Sequence, residues 1–154
     1  MTSNAKPETR EVDEQLRDEL HRKLAVWGPL VGPDALAAIS AGVDENAPII
    51  AAKLCQGDED VTQDIVCVLG RRAAGWYGIT PLGRAIARSD GSPLGDGISY
   101  AEAASMLRVS RTRIGQLLAA GLLRRVSDIG NRRGISVASV LDRLDRQDRN
   151  RDEE

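Results

Sequence analysis

The amino-acid sequence predicts a mainly α-helical protein, with a small helical N-terminal domain and a C-terminal domain that adds one short β-hairpin to its helices. Apolar residues recur at helical spacing early in the chain, as at Val12, Leu16, Leu20 and Leu24. A turn-rich stretch, SDGSPLGDG, then interrupts the helical pattern. Further along, two extended pieces flank a tip rich in turn residues. These three observations predict two helical parts joined by a linker.

Shifts in composition divide the chain into five predicted segments. Residues 1–10 are polar and are expected to form a disordered tail, and residues 145–154 alternate Asp with Arg and are expected to form a charged, frayed helix end. Between the tails we expect an acidic helical association domain over 11–88, a linker over 89–97 and a second domain over 98–144. The 154 residues suffice for one ordinary domain or two very small ones.

Start and stop signals predict the elements of the N-terminal domain. The first helix, Glu11–Val26, is expected to end at Gly28-Pro29, and its apolar stripe either packs in the core or forms a dimer seam. Gly42 is expected to separate a helix that starts at Pro33 from a third helix that starts near Asp44. The apolar face of that third helix is predicted from Ile49, Ile50, Leu54 and Cys55.

The second half of this domain is expected to contain a capped helix, an extended piece and a final helix. Asp60 and Gln63 have the spacing of a capping box. Trp76-Tyr77-Gly78-Ile79 is expected to be extended, and Thr80-Pro81 to begin the last helix. The segment WYGITPLGRAIARS is similar to the wing-then-helix part of some winged-helix regulators, so a degenerate second winged helix remains an alternative for this domain.

The scarcity of reactive side chains argues against an enzyme. His21 is the only histidine, and Cys55 and Cys67 have no zinc-binding spacing, so we expect two reduced, buried thiols and no metal. No glycine-rich phosphate-binding motif occurs, and four aromatic residues are too few to stack rows of bases. We expect neither catalytic activity nor a cofactor.

No apolar run approaches the roughly 18 residues that a membrane span needs. The N-terminus also lacks the apolar segment of a secretory signal. We therefore expect a soluble, intracellular protein that is cytoplasmic and has no membrane partner.

Charge is distributed unevenly, although the net charge is only -2. Residues 1–97 contain 10 Lys and Arg against 15 Asp and Glu, whereas residues 98–143 contain 8 Arg against 3 acidic residues. An acidic part followed by a basic part is typical of a protein in which only one module meets phosphate. The C-terminal domain is therefore the candidate for nucleic-acid binding.

A pair of short helices carries the functional signal. Ser99 and Glu102 form a capping-box pattern before a helix of about two turns, and Arg108-Val109-Ser110 forms a tight turn. Ser110 is expected to cap a second helix that ends before Gly121. This spacing is typical of a helix-turn-helix, whose second helix enters the major groove. The predicted contacts from its first turns are Ser110, Arg111, Thr112, Arg113 and Gln116.

The residues that follow predict a β-hairpin, or wing, over about residues 124–134 and a final helix capped by Ser136. The wing is expected to reach the DNA backbone or the minor groove. Its predicted contact residues are Arg124, Arg125, Asn131, Arg132 and Arg133.

The segment ISYAEAASMLRVSRTRIGQLLAAGLLRRV, followed by GNRRGISVASVLDRL, resembles the winged helix-turn-helix domain of excisionases and MerR-type regulators. The resemblance covers residues 98–144 and implies DNA binding by the second helix and the wing. Two features depart from the family pattern. Gly115 stands where a larger residue is common, and the long dimerising coiled coil of MerR regulators does not follow the wing.

We therefore predict a sequence-specific regulator that binds double-stranded DNA, of bacterial, phage or plasmid type and associated with the nucleoid. A homodimer formed through the N-terminal domain is expected, because one module of this size contacts little DNA. One alternative is an excisionase-like architectural factor that bends an attachment site. A second is an adaptor or antitoxin-like protein that binds a protein partner and regulates itself through its DNA domain.

Overall fold

The computed structural model describes residues 7–126 and 134–153, and within these ranges the chain is mainly helical with a small antiparallel sheet. The elements of the acidic part are α1 (Pro7–Val31), α2 (Pro33–Cys55), α3 (Glu59–Leu69), α4 (Ala74–Ile79) and α5 (Pro81–Arg88). Those that follow are β1 (Gly97–Ile98), α6 (Tyr100–Leu107), α7 (Arg111–Ala119), β2 (Arg125–Val126), β3 (Gly134–Ser136) and α8 (Val137–Asp152). The prediction of a mainly α-helical protein is thus confirmed.

The first two helices are longer than the sequence signals predicted. α1 already includes Pro7–Arg10, which were assigned to the disordered tail, and it continues through Gly28-Pro29 to Val31. α2 continues through both Gly42 and Pro48, so the two predicted helices are one. A proline inside a helix costs about 3 kcal/mol. That cost is offset here by packing, because Ala47 and Ala51 on either side of Pro48 are fully buried.

The buried face of α2 also differs from the predicted one. Ala47, Ala51 and Leu54 face the core, whereas Ile49 is 57% exposed. Both cysteines are free and exposed rather than buried. Partial burial of the Cys55 thiol nevertheless raises its pKa, an effect that the nearby Thr9 partly counters.

The cap of α3 lies two residues before the predicted one. The Asp58 side chain accepts a hydrogen bond from the Val61 backbone N–H at 3.0 Å, so Asp58 and not Asp60 begins the helix. α5 begins as predicted, with the Thr80 hydroxyl accepting from the Gly83 N–H at 3.0 Å. The Gln15 side chain on α1 accepts a further bond from the Leu82 N–H at 2.7 Å, which ties α1 to the start of α5.

The segment expected to be extended, Trp76 to Ile79, is helical and forms most of α4. Two glycines explain this difference, because they let α4 pack closer to α6 and α5 than any other residue would allow. A Cβ atom on Gly78 would lie 2.8 Å from the Cβ of Met106 in α6, and one on Gly83 would lie 2.4 Å from the Trp76 carbonyl oxygen. Gly75, one turn before Gly78, lies against Ser105 of the same helix α6. Residues 11–88 contain no strand, so the alternative of a second, degenerate winged helix is wrong.

The C-terminal part folds around a three-stranded antiparallel sheet with the order β1-β3-β2. Ile98 pairs with Ile135, and Arg125 pairs with the same Ile135 from the other side. The two strands β2 and β3 pair as the hairpin prediction required, whereas β1 was not predicted because two residues carry no periodic signal. Ser136 caps α8 as expected, its hydroxyl accepting from the Ser139 N–H.

One contiguous core joins the acidic and basic parts of the chain. The predicted linker packs against the rest, with Ser89 buried and hydrogen-bonded to the Thr62 hydroxyl at 2.7 Å. The predicted charged tail is helical through Asp152, and two of its carboxylates, Asp145 and Asp148, pair with Arg88 and Arg84 of α5. Among the described residues, no helix has both the length and the hydropathy of a membrane span.

Candidate nucleic-acid interface

Helix α6 is fixed at both ends by local interactions that the sequence encodes. The Ser99 hydroxyl accepts from the Glu102 N–H, and the Glu102 carboxylate accepts from the Ser99 N–H, each at 3.1 Å. This is the predicted capping box. At the other end, Arg108 adopts the left-handed conformation with φ of 56°, which stops the helix and turns the chain. The turn therefore has a fixed geometry before α7 begins.

Helix α7 begins at the predicted residue. The Ser110 hydroxyl accepts a hydrogen bond from the Arg113 N–H at 3.1 Å, which satisfies one of the free donors of the first turn. Ile114 and Leu117 are buried beneath the helix. Gly121 follows the end of α7 with a φ of +75°, in agreement with its predicted role as a helix stop. One face of α7 is therefore anchored, and the other points away from the core.

The predicted contact residues of α7 all lie on its exposed side. Arg111, Thr112, Arg113 and Gln116 are exposed, as is Ser110. A guanidinium nitrogen of Arg113 donates to the Gln116 Oε1 at 3.1 Å, so the two side chains form one polar unit. The positive end of the helix dipole adds to the charge of Arg111 and Arg113 at this terminus. The first turns of α7 thus present donors and positive charge together.

Gly115 lies on this side of α7, and apart from the helix's own backbone no atom of the described chain lies within 4 Å of where its Cβ atom would be. A glycine inside a helix costs roughly 1 kcal/mol relative to alanine. The packing of the described chain gives no reason for that cost. The absence of a side chain at this position, between exposed polar side chains, does allow another molecular surface to approach the helix backbone closely.

Arg124 and Arg125 lead from α7 into the sheet. The Arg124 backbone is held from two directions, since its carbonyl accepts from the Ser136 N–H at 2.8 Å and its N–H donates to the Ser139 hydroxyl at 3.2 Å. The Arg125 guanidinium donates to the Tyr100 hydroxyl at 2.8 Å and lies 5.8 Å from the centre of that ring. Both arginine side chains are exposed.

Ion pairing separates the arginines of the two parts. In the acidic part, exposed Arg71 has no ion pair with the described residues, but the other six arginines form ion pairs with carboxylates: Arg10, Arg17, Arg22, Arg72, Arg84 and Arg88. By contrast, no ion pair within residues 7–126 and 134–153 involves any arginine of α7 or β2, or the turn residue Arg108. The α7 side of the molecule therefore keeps a surplus of positive charge.

Two residues at this surface were not predicted from the sequence. Arg108 is exposed in the turn before α7, and Tyr100 orients Arg125. Arg108 could have been found, because it is the only basic residue of the turn. The Tyr100–Arg125 contact depends on the pairing of β2 with β3 and has no sequence signal. The predicted wing residues Asn131, Arg132 and Arg133 lie outside the described residues.

Within the part of the chain that the structure describes, no three His, Cys, Asp or Glu side chains are close enough to share a metal ion. The comparisons with known proteins add no further assignment. The chain matches no protein-family model, no curated protein and no solved structure. A functional hypothesis therefore depends on the surface chemistry of α7, the turn before it and β2.

Proposed function

We propose that this protein is a sequence-specific regulator that binds double-stranded DNA through a winged helix-turn-helix formed by residues 98–144. The observation that carries the proposal is the partition of the arginines. Six of the seven arginines of the acidic part form ion pairs with carboxylates, whereas Arg111, Arg113, Arg124 and Arg125 are exposed and form no ion pair with the described residues. Exposed guanidinium groups without an ion-pair partner, on α7 and at the start of β2, suit a polyanion.

The geometry of α7 is suited to reading base edges. Its buried face anchors the helix on the core, so its exposed face can enter the major groove as a rigid unit. An arginine can pair with both acceptors of a guanine edge, and glutamine can do the same with adenine. In this proposal Arg113 and Gln116 contact bases, Arg111 contacts a base or a phosphate, and Gly115 allows close approach.

The sheet supplies the second set of proposed contacts. β2 and β3 pair as antiparallel strands. We assign Arg132 and Arg133, predicted wing residues that lie outside the described residues, to the phosphate backbone or the minor groove. Arg124 and Arg125 lie at the base of the predicted wing. Because Tyr100 restrains Arg125, less side-chain entropy is lost when that arginine meets a phosphate.

The proposal is tested by selecting duplexes from a random pool with the full-length protein and measuring affinity by fluorescence anisotropy. We expect a defined motif that is bound at least about 1,000-fold more tightly than random DNA. Arg113→Ala should reduce binding, whereas Arg22→Ala, an arginine of the acidic part with a largely exposed side chain, should leave it unchanged. Selection without enrichment, or equal loss in both variants, would overturn the proposal.

The same DNA distinguishes the biological roles. A transcriptional regulator is expected to cover promoter elements in a footprint and to bend the duplex little. An excisionase-like factor should occupy direct repeats and bend them, which circular-permutation gels measure. The adaptor alternative predicts that a protein partner co-purifies in a fixed ratio.

A further inference from the structure

The distal half of the α1–α2 hairpin has no core of its own. No residue from Leu20 to Asn46 is buried, although α1 and α2 are continuous helices throughout this stretch. The buried residues of the hairpin, such as Leu16 and Ala47, all lie nearer its base. Helices of this length owe most of their stability to the packing of an apolar face. Such a face is present here but is left in contact with water.

Five large apolar side chains cluster near the turn at Gly32. The exposed fractions are 75% for Val26, 57% for Trp27, 76% for Leu30, 41% for Val31 and 44% for Ile39. We call these five residues the hairpin tip. Together they leave on the order of 500 Å² of apolar surface in water, near the upper end for a monomer. Isolated surface leucines need no explanation, but a cluster of this size does.

We propose that the hairpin tip is a homodimer interface, covered in solution by the tip of a second copy of this chain. Charge is the first reason. From Leu24 to Val43 the only charged residue is Asp34, in a chain that is 29% charged. Such depletion of charge, with a central tryptophan, is typical of the apolar interfaces of permanent homodimers, whereas transient partners bind more polar surfaces.

The shape of the hairpin is the second reason. α1 presents its large side chains at Val26, Trp27 and Leu30, whereas α2 presents small residues, the exposed Ala35 and Ala38 and the partly exposed Gly42. A two-fold axis that crosses α1 of one copy over α2 of the other would place large side chains on small ones twice. Gly42 supports this arrangement, because beyond the helix's own backbone no atom of the described residues lies within 4 Å of where its Cβ would be, so the packing of these residues does not require a glycine there.

The apolar area of the hairpin tip is large enough for an interface with a second copy of the chain. The five side chains, together with the exposed alanines between them, approach the roughly 800 Å² per partner that a standard-size interface buries. This inference deepens the proposed function, since a dimer would present two copies of α7 to two half-sites. It also revises the predicted dimer seam. Val12 and Leu16 of the first helix are fully buried within one copy, so the interface lies further along the hairpin.

The test is sedimentation velocity of the full chain without DNA. We expect a dimer for the unmodified protein and a monomer for Leu30→Asp, with unchanged helicity in circular dichroism. Val68→Asp is the matched control, because Val68 on α3 is 52% exposed and lies outside the hairpin tip. An unmodified protein that is monomeric even at about 100 µM, or a dimer that survives Leu30→Asp but not Val68→Asp, would overturn the proposal.

A second measurement leaves the hairpin tip unchanged. In a Trp76→Phe background Trp27 is the only tryptophan, and its emission should move to longer wavelength on dilution as the dimer dissociates. A spectrum that does not change across the dissociation range would place Trp27 outside the interface. Because neither measurement involves DNA, a confirmed dimer that binds no sequence would count against the proposed function and not against the interface.

Discussion

Gly78 of α4 packs directly on Met106 of α6, so closely that a Cβ atom on the glycine would lie 2.8 Å from both the Cβ and the carbonyl oxygen of the methionine. This contact joins the acidic part of the chain to the first helix of the proposed DNA-binding motif. Met106 is itself almost completely buried. The orientation of α6 and α7 is therefore set in part by a helix that lies outside the segment 98–144.

Gly78→Ala is expected to destabilise the protein by about 1–3 kcal/mol, because neither the Met106 backbone nor α4 can move apart without opening the core. The matched control is Gly115→Ala, also in a helix, where the new methyl group meets open space. We expect that change to stabilise the fold by up to about 1 kcal/mol. Urea unfolding of both variants measures the two free energies, and a neutral Gly78→Ala would contradict the contact.

Gly115→Ala and Arg113→Ala are also expected to weaken DNA binding, but in different ways. Loss of Arg113 removes a proposed base contact and should cost about 1–3 kcal/mol on the selected duplex and little on random DNA. Gly115→Ala should weaken binding to both duplexes while the protein itself becomes more stable. Anisotropy titrations against both DNAs separate the two effects. Equal losses for Arg113→Ala on both duplexes would remove it from sequence recognition.

Arg125 is expected to act on the backbone. Arg125→Ala should reduce the slope of log K against log salt by about 0.9, as expected for one lost phosphate contact. Tyr100→Phe removes the 2.8 Å hydrogen bond but keeps the ring beside the guanidinium, so it should lower affinity less and leave the slope unchanged. The measurement is a salt series on random duplex. An unchanged slope for Arg125→Ala would exclude it from phosphate contact.

A buried ion pair in the acidic part should matter more than the exposed ones. Glu19 is only 6% exposed and accepts from Arg72 at 2.8 Å and from Arg22 at 3.4 Å. Arg72→Ala leaves that carboxylate buried with its better partner missing, and we expect a loss of about 2 kcal/mol because the Arg72 side chain is partly solvated. Arg10→Ala breaks a pair that is exposed on both sides and should cause no measurable change. Thermal unfolding of both variants provides the comparison.

Local chemistry made the proposed DNA-binding segment predictable. The capping box of Ser99 and Glu102, the Ser110 cap and the Gly121 stop involve residues at most a few positions apart, so the sequence contains both partners of each contact. The buried positions Ile114 and Leu117 follow from helical spacing. For the same reason the exposed side of α7 was identified residue by residue.

Glycine and proline residues predicted the ends of helices less reliably in the N-terminal part. Gly42 and Pro48 each favour the end of a helix, yet α2 passes through both because Ala47 and Ala51 are buried against the rest of the core. The helical state of Trp76 to Ile79 likewise depends on partners elsewhere in the chain, at Ser105 and Met106. A single residue can disfavour the helix by a few kcal/mol, and the chain still forms a helix there when packing against distant residues buries the neighbouring side chains.

The sequence by itself determined the mainly helical class, the caps of the helices from Ser99 onward and the face of α7 that points outward, because these depend on residues close together in the chain. Only the tertiary structure decided that the linker and the charged tail pack against the rest, that β1 completes the sheet, that Tyr100 holds Arg125 and that the apolar tip of the hairpin stays uncovered. Each of these facts joins residues far apart in the chain, or follows from where the core ends. The free energy of these contacts comes from packing between secondary-structure elements, and the spacing of residues within one segment of the sequence does not predict it.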